Sequence, residues 1–222
     1  MVASHRYKPL SFEAALHPIG AGAAFTTNTV AGRQASMKVS REQVADNRER
    51  IIKLASELFR EHGIDGIGVA DLMKKAGLTH GAFYGYFDSK EDLASQACAS
   101  AVSQMKDSFT VALKKDARDP VKALADSYLS AQHRDNVRRG CPVAALAGDI
   151  SRQPPTVRRS FSEELRPFFD FLAGLVPGRS KAAQRKKAIA VFASLVGGLV
   201  LARAVNDKPL SREILDAVSA SL

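Results

Sequence analysis

Several residue types and motifs are scarce in this 222-residue sequence. It contains no tryptophan and only two cysteines, Cys98 and Cys141, which are too few for a disulfide framework and are typical of a reducing compartment. Its five histidines are scattered, and no two have the spacing of metal ligands, so we expect no metal or other cofactor. It has no phosphate-binding glycine loop, nucleophile elbow or HExxH string. The sequence therefore predicts a protein that is not an enzyme.

Long hydrophobic runs are also missing. The first 25 residues are interrupted by Glu13, His17 and Pro18, unlike the apolar segment of a signal peptide. The best membrane candidate, residues 188–202, is shorter than the roughly 18 apolar residues that argue for a span. We therefore expect a buried helix there, no membrane partner and a cytoplasmic protein.

Positive charge is in excess but unevenly distributed. The net charge is +9, which is consistent with a polyanionic partner such as nucleic acid. Residues 37–91 nevertheless contain nine basic and nine acidic side chains, so the excess lies elsewhere in the chain. Any nucleic-acid binding by that region must depend on a few well-placed groups.

The hydrophobic pattern predicts an all-α protein, because apolar residues recur at helical spacing and no segment alternates with period two. Residues 1–36 show no sustained period. We expect them to be a disordered extension, with Met37 as a possible true start of translation. Helices are expected at residues 41–62, 69–76, 90–115, 119–133, 142–151, 155–175, 180–205 and 211–221, with a short additional helix after Thr79.

Residues 69–88 have the outline of a helix-turn-helix. Gly77 ends one short helix in a left-handed cap, Thr79 caps the next, and only Gly77 and Leu78 lie between them. In such a unit the second helix enters the major groove of DNA. After it, Ser89 and Asp92 predict a capping box at the start of a further helix.

Four aromatic residues crowd the second helix of this unit. Phe83 and Phe87 are four residues apart and are expected to face the core. His80 and Tyr84 share another face, next to Gly81, whose missing side chain would allow close approach to base edges. Lys90, in the first turn of the following helix, opposes the helix dipole and suits either a phosphate contact or a solvated surface.

These motifs lie within residues 59–93, FREHGIDGIGVADLMKKAGLTHGAFYGYFDSKEDL, which strongly resemble the DNA-binding domain of TetR/AcrR-type bacterial transcriptional regulators. The resemblance implies a DNA-binding domain at residues 37–95 and an effector-binding and dimerisation domain at residues 96–222. The chain departs from the family pattern in two places: Ile67 and Gly68 stand at the start of the second helix, where Ser or Thr is common, and Gly85 stands where a larger polar residue is common. The resemblance implies six DNA-contacting residues: Thr79, His80, Gly81, Tyr84, Tyr86 and Lys90.

The resemblance also implies a homodimer that binds a palindromic operator in double-stranded DNA as a repressor and is released by a small-molecule effector of unknown identity. In this family the last two helices usually form the dimer interface. The candidates here, which could equally pack inside one subunit, are Phe192, Leu195, Val196, Leu199 and Leu201.

Cys141 supports an alternative in which the regulator senses electrophiles or redox state. Pro142 suits the first position of a helix, which makes Cys141 its N-cap. The helix N-terminus and the nearby Arg138 and Arg139 would lower the pKa of the thiol. The competing interpretation is a small buried residue at a helix entry. A further alternative is a DNA-binding protein without an effector, which a fully packed C-terminal core would favour.

Overall fold

The computed structural model describes residues 40–114 and 119–222, and these contain helices and no strand. This confirms the predicted all-α class. The predictions for residues 1–36 and Met37 lie outside the described residues. The helices are α1 (Arg41–His62), α2 (Val69–Lys75), a 3₁₀ helix (His80–Gly85), α3 (Lys90–Leu113), α4 (Pro120–Tyr128), α5 (Ala131–Asp135), α6 (Pro142–Ile150), α7 (Pro155–Ala173), α8 (Lys181–Ala204) and α9 (Lys208–Ala220).

Helix α1, helix α2 and the 3₁₀ helix form a small three-helix unit around one apolar cluster. Ile51, Ala55, Leu58 and Phe59 of α1 are fully buried because their spacing places them on one face. That face packs against Met73 of α2, which is also fully buried. The cluster holds the 3₁₀ helix in a defined orientation.

Helix α3 joins this unit to the rest of the chain. Its N-cap is Ser89, whose hydroxyl accepts a hydrogen bond from the N–H of Asp92 at 3.1 Å, as the capping-box pattern predicts. The helix runs without a break through residue 95, where the domain boundary was predicted. It then packs against α1 and α7, so the two regions share a continuous structural element instead of a loose linker.

Two helix predictions need correction. The single helix expected at residues 119–133 is two helices, because Ser130 caps a new one by accepting a hydrogen bond from the N–H of His133. The last helix begins at Lys208 instead of Ser211, since Asp207 is its N-cap and accepts from the N–H of Leu210. In both cases the side-chain oxygen of the N-cap residue sets the start of the helix.

The inward face of α8 lies in the core of the helical region. Phe192, Leu195 and Leu199 are between 0 and 2% exposed, so the prediction that they form a dimer interface is wrong for these three residues. Val196 is partly buried against the same core, whereas Leu201 is 56% exposed. Among the described residues, α8 is the one helix whose length and hydropathy would suffice to cross a membrane, and its inward side packs against α7 and α9.

The outward face of α8 is also apolar. Ile189, Ala193, Val200 and Leu201 are exposed and recur at helical spacing along one side. This stripe has no covering element within the described part of the chain. On the inner side, a Cβ atom at Gly198 would lie 3.0 Å from Cγ2 of Val218 in α9, so glycine permits the close approach of these two helices.

Candidate nucleic-acid interface and helical-domain cavity

The 3₁₀ helix is anchored by two phenylalanines. Phe83 and Phe87 are 1% and 2% exposed, and their ring centroids lie 5.5 Å apart. Both join the cluster formed by α1 and α2, as predicted from their spacing. The helix is a short 3₁₀ helix over His80–Gly85.

The opposite side of this helix is exposed. Tyr84 is 69% exposed, the largest exposed fraction among the large hydrophobic residues that the structure describes. Its ring centroid lies 6.3 Å from that of His80, which is exposed beside it. Thr79 and Gly81 are exposed on the same turn. The structure therefore brings together four of the six predicted contact residues, Thr79, His80, Gly81 and Tyr84, on one outward surface.

Two details concern Thr79 and Gly81. Thr79 is the N-cap of the 3₁₀ helix by backbone position, but its hydroxyl makes no capping hydrogen bond, contrary to expectation. The hydroxyl is consequently available to another molecule. A Cβ atom added at Gly81 would meet nothing within 4 Å, so packing within the described chain does not require glycine there.

Tyr86 and Lys90 lie at the edge of this surface. The hydroxyl of Tyr86 accepts a hydrogen bond from Nδ2 of Asn47 at 3.1 Å, while its ring packs against the core. Tyr86 therefore braces the 3₁₀ helix against α1. Lys90 is the first residue of α3 and is half-buried, which is the position that the sequence predicts.

The turn between α2 and the 3₁₀ helix has the predicted left-handed glycine. Gly77 has φ +72°. Its N–H donates to the carbonyl of Lys74 at 3.0 Å, and the N–H of Leu78 donates to that of Met73 at 2.9 Å. These two bonds form a Schellman motif. Arg50 also donates from Nη2 to the carbonyl of Ala76, which ties the turn to α1.

A cavity of about 630 Å³ lies in the helical region. Met105 and Phe109 of α3 form one wall, and Leu124 and Tyr128 of α4 form another. Its size falls within the usual range of small-molecule pockets. The alternative of a DNA-binding protein without an effector is favoured by a fully packed core, so the presence of this cavity does not favour it.

Arg60 of α1 also lines this cavity, although it belongs to the three-helix unit. Its side chain is buried, and desolvation lowers its pKa despite the nearby Glu57. Nε donates to the carbonyl of Arg138 at 2.8 Å and Nη1 to the hydroxyl of Ser56 at 3.0 Å. Glu57 in turn pairs with Arg138 at 2.8 Å. The hydrogen-bonded side chain of Arg60 therefore links the cavity to α1.

Cys141 caps α6 by backbone position and lies at the wall of the cavity, but it is only 3% exposed. Desolvation raises the pKa of its thiol, so the predicted lowering by the helix N-terminus and two arginines is wrong. The side chains of Arg138 and Arg139 are exposed, and Arg138 pairs with Glu57. The Sγ atom lies 3.4 Å from Sδ of Met105 instead. Burial also raises the pKa of Cys98, to about 12.

Sequence reasoning missed Arg60, Tyr128 and His133 as cavity residues. Arg60 carried a weak signal, since it follows the buried Phe59 directly and lies four residues after Ser56, a small residue that leaves room for it. Nothing in the local sequence around Tyr128 or His133 indicates that they line the same cavity as Arg60, because that depends on how α1, α4 and α5 pack together.

These features define a helix-turn-helix protein with a larger helical region and a cavity lined mainly by α3, α4 and α5. The family model of bacterial regulatory proteins, tetR family, matches residues 51–97, from the middle of α1 into α3. Residues 51–97 therefore have the sequence pattern of this family's N-terminal domain, and the chain as a whole is similar to its members. The proteins it resembles are named as transcriptional regulators, which agrees with the prediction that it is not an enzyme.

Two relatives and one solved structure illustrate the similarity. The HTH-type transcriptional repressor DhaR of Mycobacterium sp. (strain GP1) is 26% identical over 125 residues, which cover 54% of this chain but only 63% of DhaR. The HTH-type transcriptional regulator LmrA of Bacillus subtilis (strain 168) is 27% identical over 74% of this chain and 91% of its own. The reduced form of E. coli NemR has the same fold, with a TM-score of 0.66, 21% identity and coverage of 79% and 95% of the two chains.

Proposed function

We propose that this protein is a DNA-binding transcriptional repressor of the bacterial cytoplasm. It binds a palindromic operator as a homodimer, and a small molecule in the helical-region cavity releases it. The observation that carries the proposal is the outward surface of the 3₁₀ helix. Tyr84 is 69% exposed there while Phe83, its neighbour in sequence, is 1% exposed.

The surface suits groove contact for a physical reason. An exposed tyrosine ring beside a histidine loses water at little cost when it enters a groove, and both side chains offer hydrogen-bonding groups to base edges or phosphates. Gly81 adds no bulk between the helix backbone and the DNA. Because residues 37–91 have no net charge, these few contacts have to supply most of the binding free energy.

Dimerisation would come from the outer stripe of α8 and from α9. The exposed Ile189, Val200 and Leu201 give α8 an apolar outer face that suits burial against a second copy. Leu210 adds an exposed apolar side chain at the start of α9. A two-fold dimer would present its two 3₁₀ helices to DNA about one turn of the double helix apart, near 34 Å, as a palindromic operator requires.

The cavity supports the effector part of the proposal. It lies against α3, the helix that begins immediately after the DNA-binding unit, and also against Arg60 of α1. A ligand that prefers one of two dimer conformations would change the spacing of the two 3₁₀ helices without touching DNA.

The test is a gel shift with the DNA upstream of the protein's own gene at one fixed salt concentration. Tyr84→Ala should weaken binding about tenfold or more, because a contacting side chain contributes about 1–3 kcal/mol. Val111→Ala is the matched control, since Val111 is 57% exposed but lies on α3, outside the predicted DNA surface. Equal affinities for Tyr84→Ala and the unmodified protein would count against the proposal.

A further inference from the structure

The cavity contains a cation that lacks a counter-ion. Arg60 is only 5% exposed, yet within residues 40–114 and 119–222 no carboxylate lies within salt-bridge distance of its guanidinium. Its two hydrogen-bonded nitrogens, Nε and Nη1, both bond to neutral oxygens. The nearest acid, Glu57, is engaged by Arg138. A buried charge without a partner is costly, so its retention indicates that something else pairs with it.

The other charged groups at the cavity do not supply that partner. Arg139 also lines the cavity, is exposed and forms no ion pair within the described residues. The acid on the lining is Asp126, whose carboxylate already pairs with Lys122 at 2.6 Å. His133 is neutral, because its Nε2 accepts a hydrogen bond from the N–H of Cys141 and its Nδ1 faces the carbonyl of Tyr128. The lining therefore has an excess of positive charge that a neutral ligand would leave unbalanced.

The rest of the lining is suited to an apolar body. Met105, Phe109, Ala112 and Leu124 contribute hydrocarbon surface from α3 and α4. Tyr128 adds a buried hydroxyl that lies near the thiol of Cys141. The cavity volume of about 630 Å³ suits a small amphipathic molecule.

We propose that the ligand of this cavity is a small organic anion, with a carboxylate-like group at Arg60 and an apolar body between α3 and α4. A guanidinium binds a carboxylate through parallel N–H···O bonds, and Nη2 of Arg60 has no hydrogen bond within the described residues. Because Arg60 lies in the last turn of α1, the anion would contact the first helix of the DNA-binding unit directly. The effect of the anion on DNA binding rests on the proposed function, whereas the binding of the anion to the cavity does not.

Matched carboxylates and amides test the charge requirement. We expect octanoate and cinnamate to bind the full chain at least about tenfold more tightly than octanamide and cinnamamide, as measured by isothermal titration calorimetry. Arg60→Met keeps a similar apolar stem and should abolish this preference. Arg159→Met, which replaces an exposed arginine on α7, should keep it. Equal affinity for acids and amides, a preference that survives Arg60→Met, or no binding of either acid up to about 10 mM would overturn the inference.

Folding of the variants is controlled separately. Arg60→Met also removes two internal hydrogen bonds, so its helicity is checked by circular dichroism. If it does not fold, Arg60→Lys decides, because lysine keeps the positive charge but cannot form the parallel N–H···O pair, so carboxylate affinity should fall several-fold. Unchanged carboxylate affinity in Arg60→Lys would then overturn the inference.

A DNA-binding measurement separates this inference from the proposed function. In the unmodified chain, octanoate or cinnamate should weaken operator binding, and Arg60→Met should lose that response. An Arg60-dependent carboxylate preference in a protein that binds no DNA would uphold the anion site and overturn the proposed function. Operator binding by a protein that shows no carboxylate preference would do the reverse.

Discussion

The Nε2 atom of His133 accepts a hydrogen bond from the backbone N–H of Cys141 at 2.9 Å. The other ring nitrogen, Nδ1, lies 2.6 Å from the carbonyl oxygen of Tyr128. A carbonyl can only accept, so Nδ1 carries the proton and the ring is neutral. The Nδ1-protonated tautomer of His133 therefore links the end of α4 to the start of α6 by hydrogen bonds.

This arrangement predicts that stability depends on pH through His133. Desolvation lowers its pKa below the ordinary 6.5, and protonation would set two donors, Nε2–H and the N–H of Cys141, against each other. As pH falls, His133 is therefore protonated in the unfolded chain before it is protonated in the folded protein. The contribution of His133 is complete above about pH 6.5 and is lost as pH falls from there through its folded-state pKa.

The measurement is the free energy of unfolding in urea at several pH values between about 7.5 and 5. His133→Gln should flatten the fall in stability at the acid end of that range. His62→Gln is the control, because His62 is exposed. Identical pH dependence in the unmodified protein and in His133→Gln would exclude this role for His133.

Two glycines of the helix-turn-helix should respond differently to alanine. Gly77 has φ +72°, where a Cβ atom is strained, so Gly77→Ala should lower the free energy of unfolding by about 1 kcal/mol or more. Gly81 has open space around its Cα, so Gly81→Ala should leave stability within about 0.5 kcal/mol. Gly81→Ala should nevertheless weaken operator binding in a gel shift. Wild-type affinity in that variant would show that close approach at Gly81 is not needed.

A charge on the outer face of α8 should disrupt the dimer. Leu201 is 56% exposed, so Leu201→Glu is tolerated in the single subunit but would bury a carboxylate in the proposed interface. We expect the dimer dissociation constant to rise at least about tenfold in analytical ultracentrifugation. Val111→Glu places the same charge at a similarly exposed site on α3 and should leave the dimer intact. A Leu201→Glu variant that remains fully dimeric would locate the interface elsewhere.

The contact between α8 and α9 should depend on Gly198. A Cβ atom there would lie 3.0 Å from Cγ2 and 3.2 Å from Cβ of Val218, so Gly198→Val should cost about 1–3 kcal/mol of stability in urea unfolding. Gly148→Val makes the same replacement on α6 at a position with nothing within 4 Å, and a much smaller loss is expected. Comparable losses in the two variants would mean that helix propensity, and not the contact with Val218, accounts for the effect.

Local sequence patterns predicted the helix-turn-helix in detail. Gly77 has the left-handed conformation of the expected cap, Ser89 caps α3 through Asp92, and Phe83 and Phe87 face the core. These features depend on residues within four or five positions of one another, so periodicity and capping rules are sufficient to identify them. The pattern could not separate the two apolar faces of α8, because Phe192 and Leu201 are both apolar and only the packing of α7 and α9 shows which face is covered.

The sequence by itself determined the all-α class, the position of the helix-turn-helix and the similarity of that segment to tetR-family proteins, because these follow from short-range periodicity and linked local motifs. Only the tertiary structure decided the environments of Cys141, Arg60 and His133. The charge of an ionisable group depends on its water and its neighbours, and these come from helices far apart in the chain. Burial therefore disfavours the thiolate form of Cys141, and helix packing places the cationic side chain of Arg60 at the wall of a cavity.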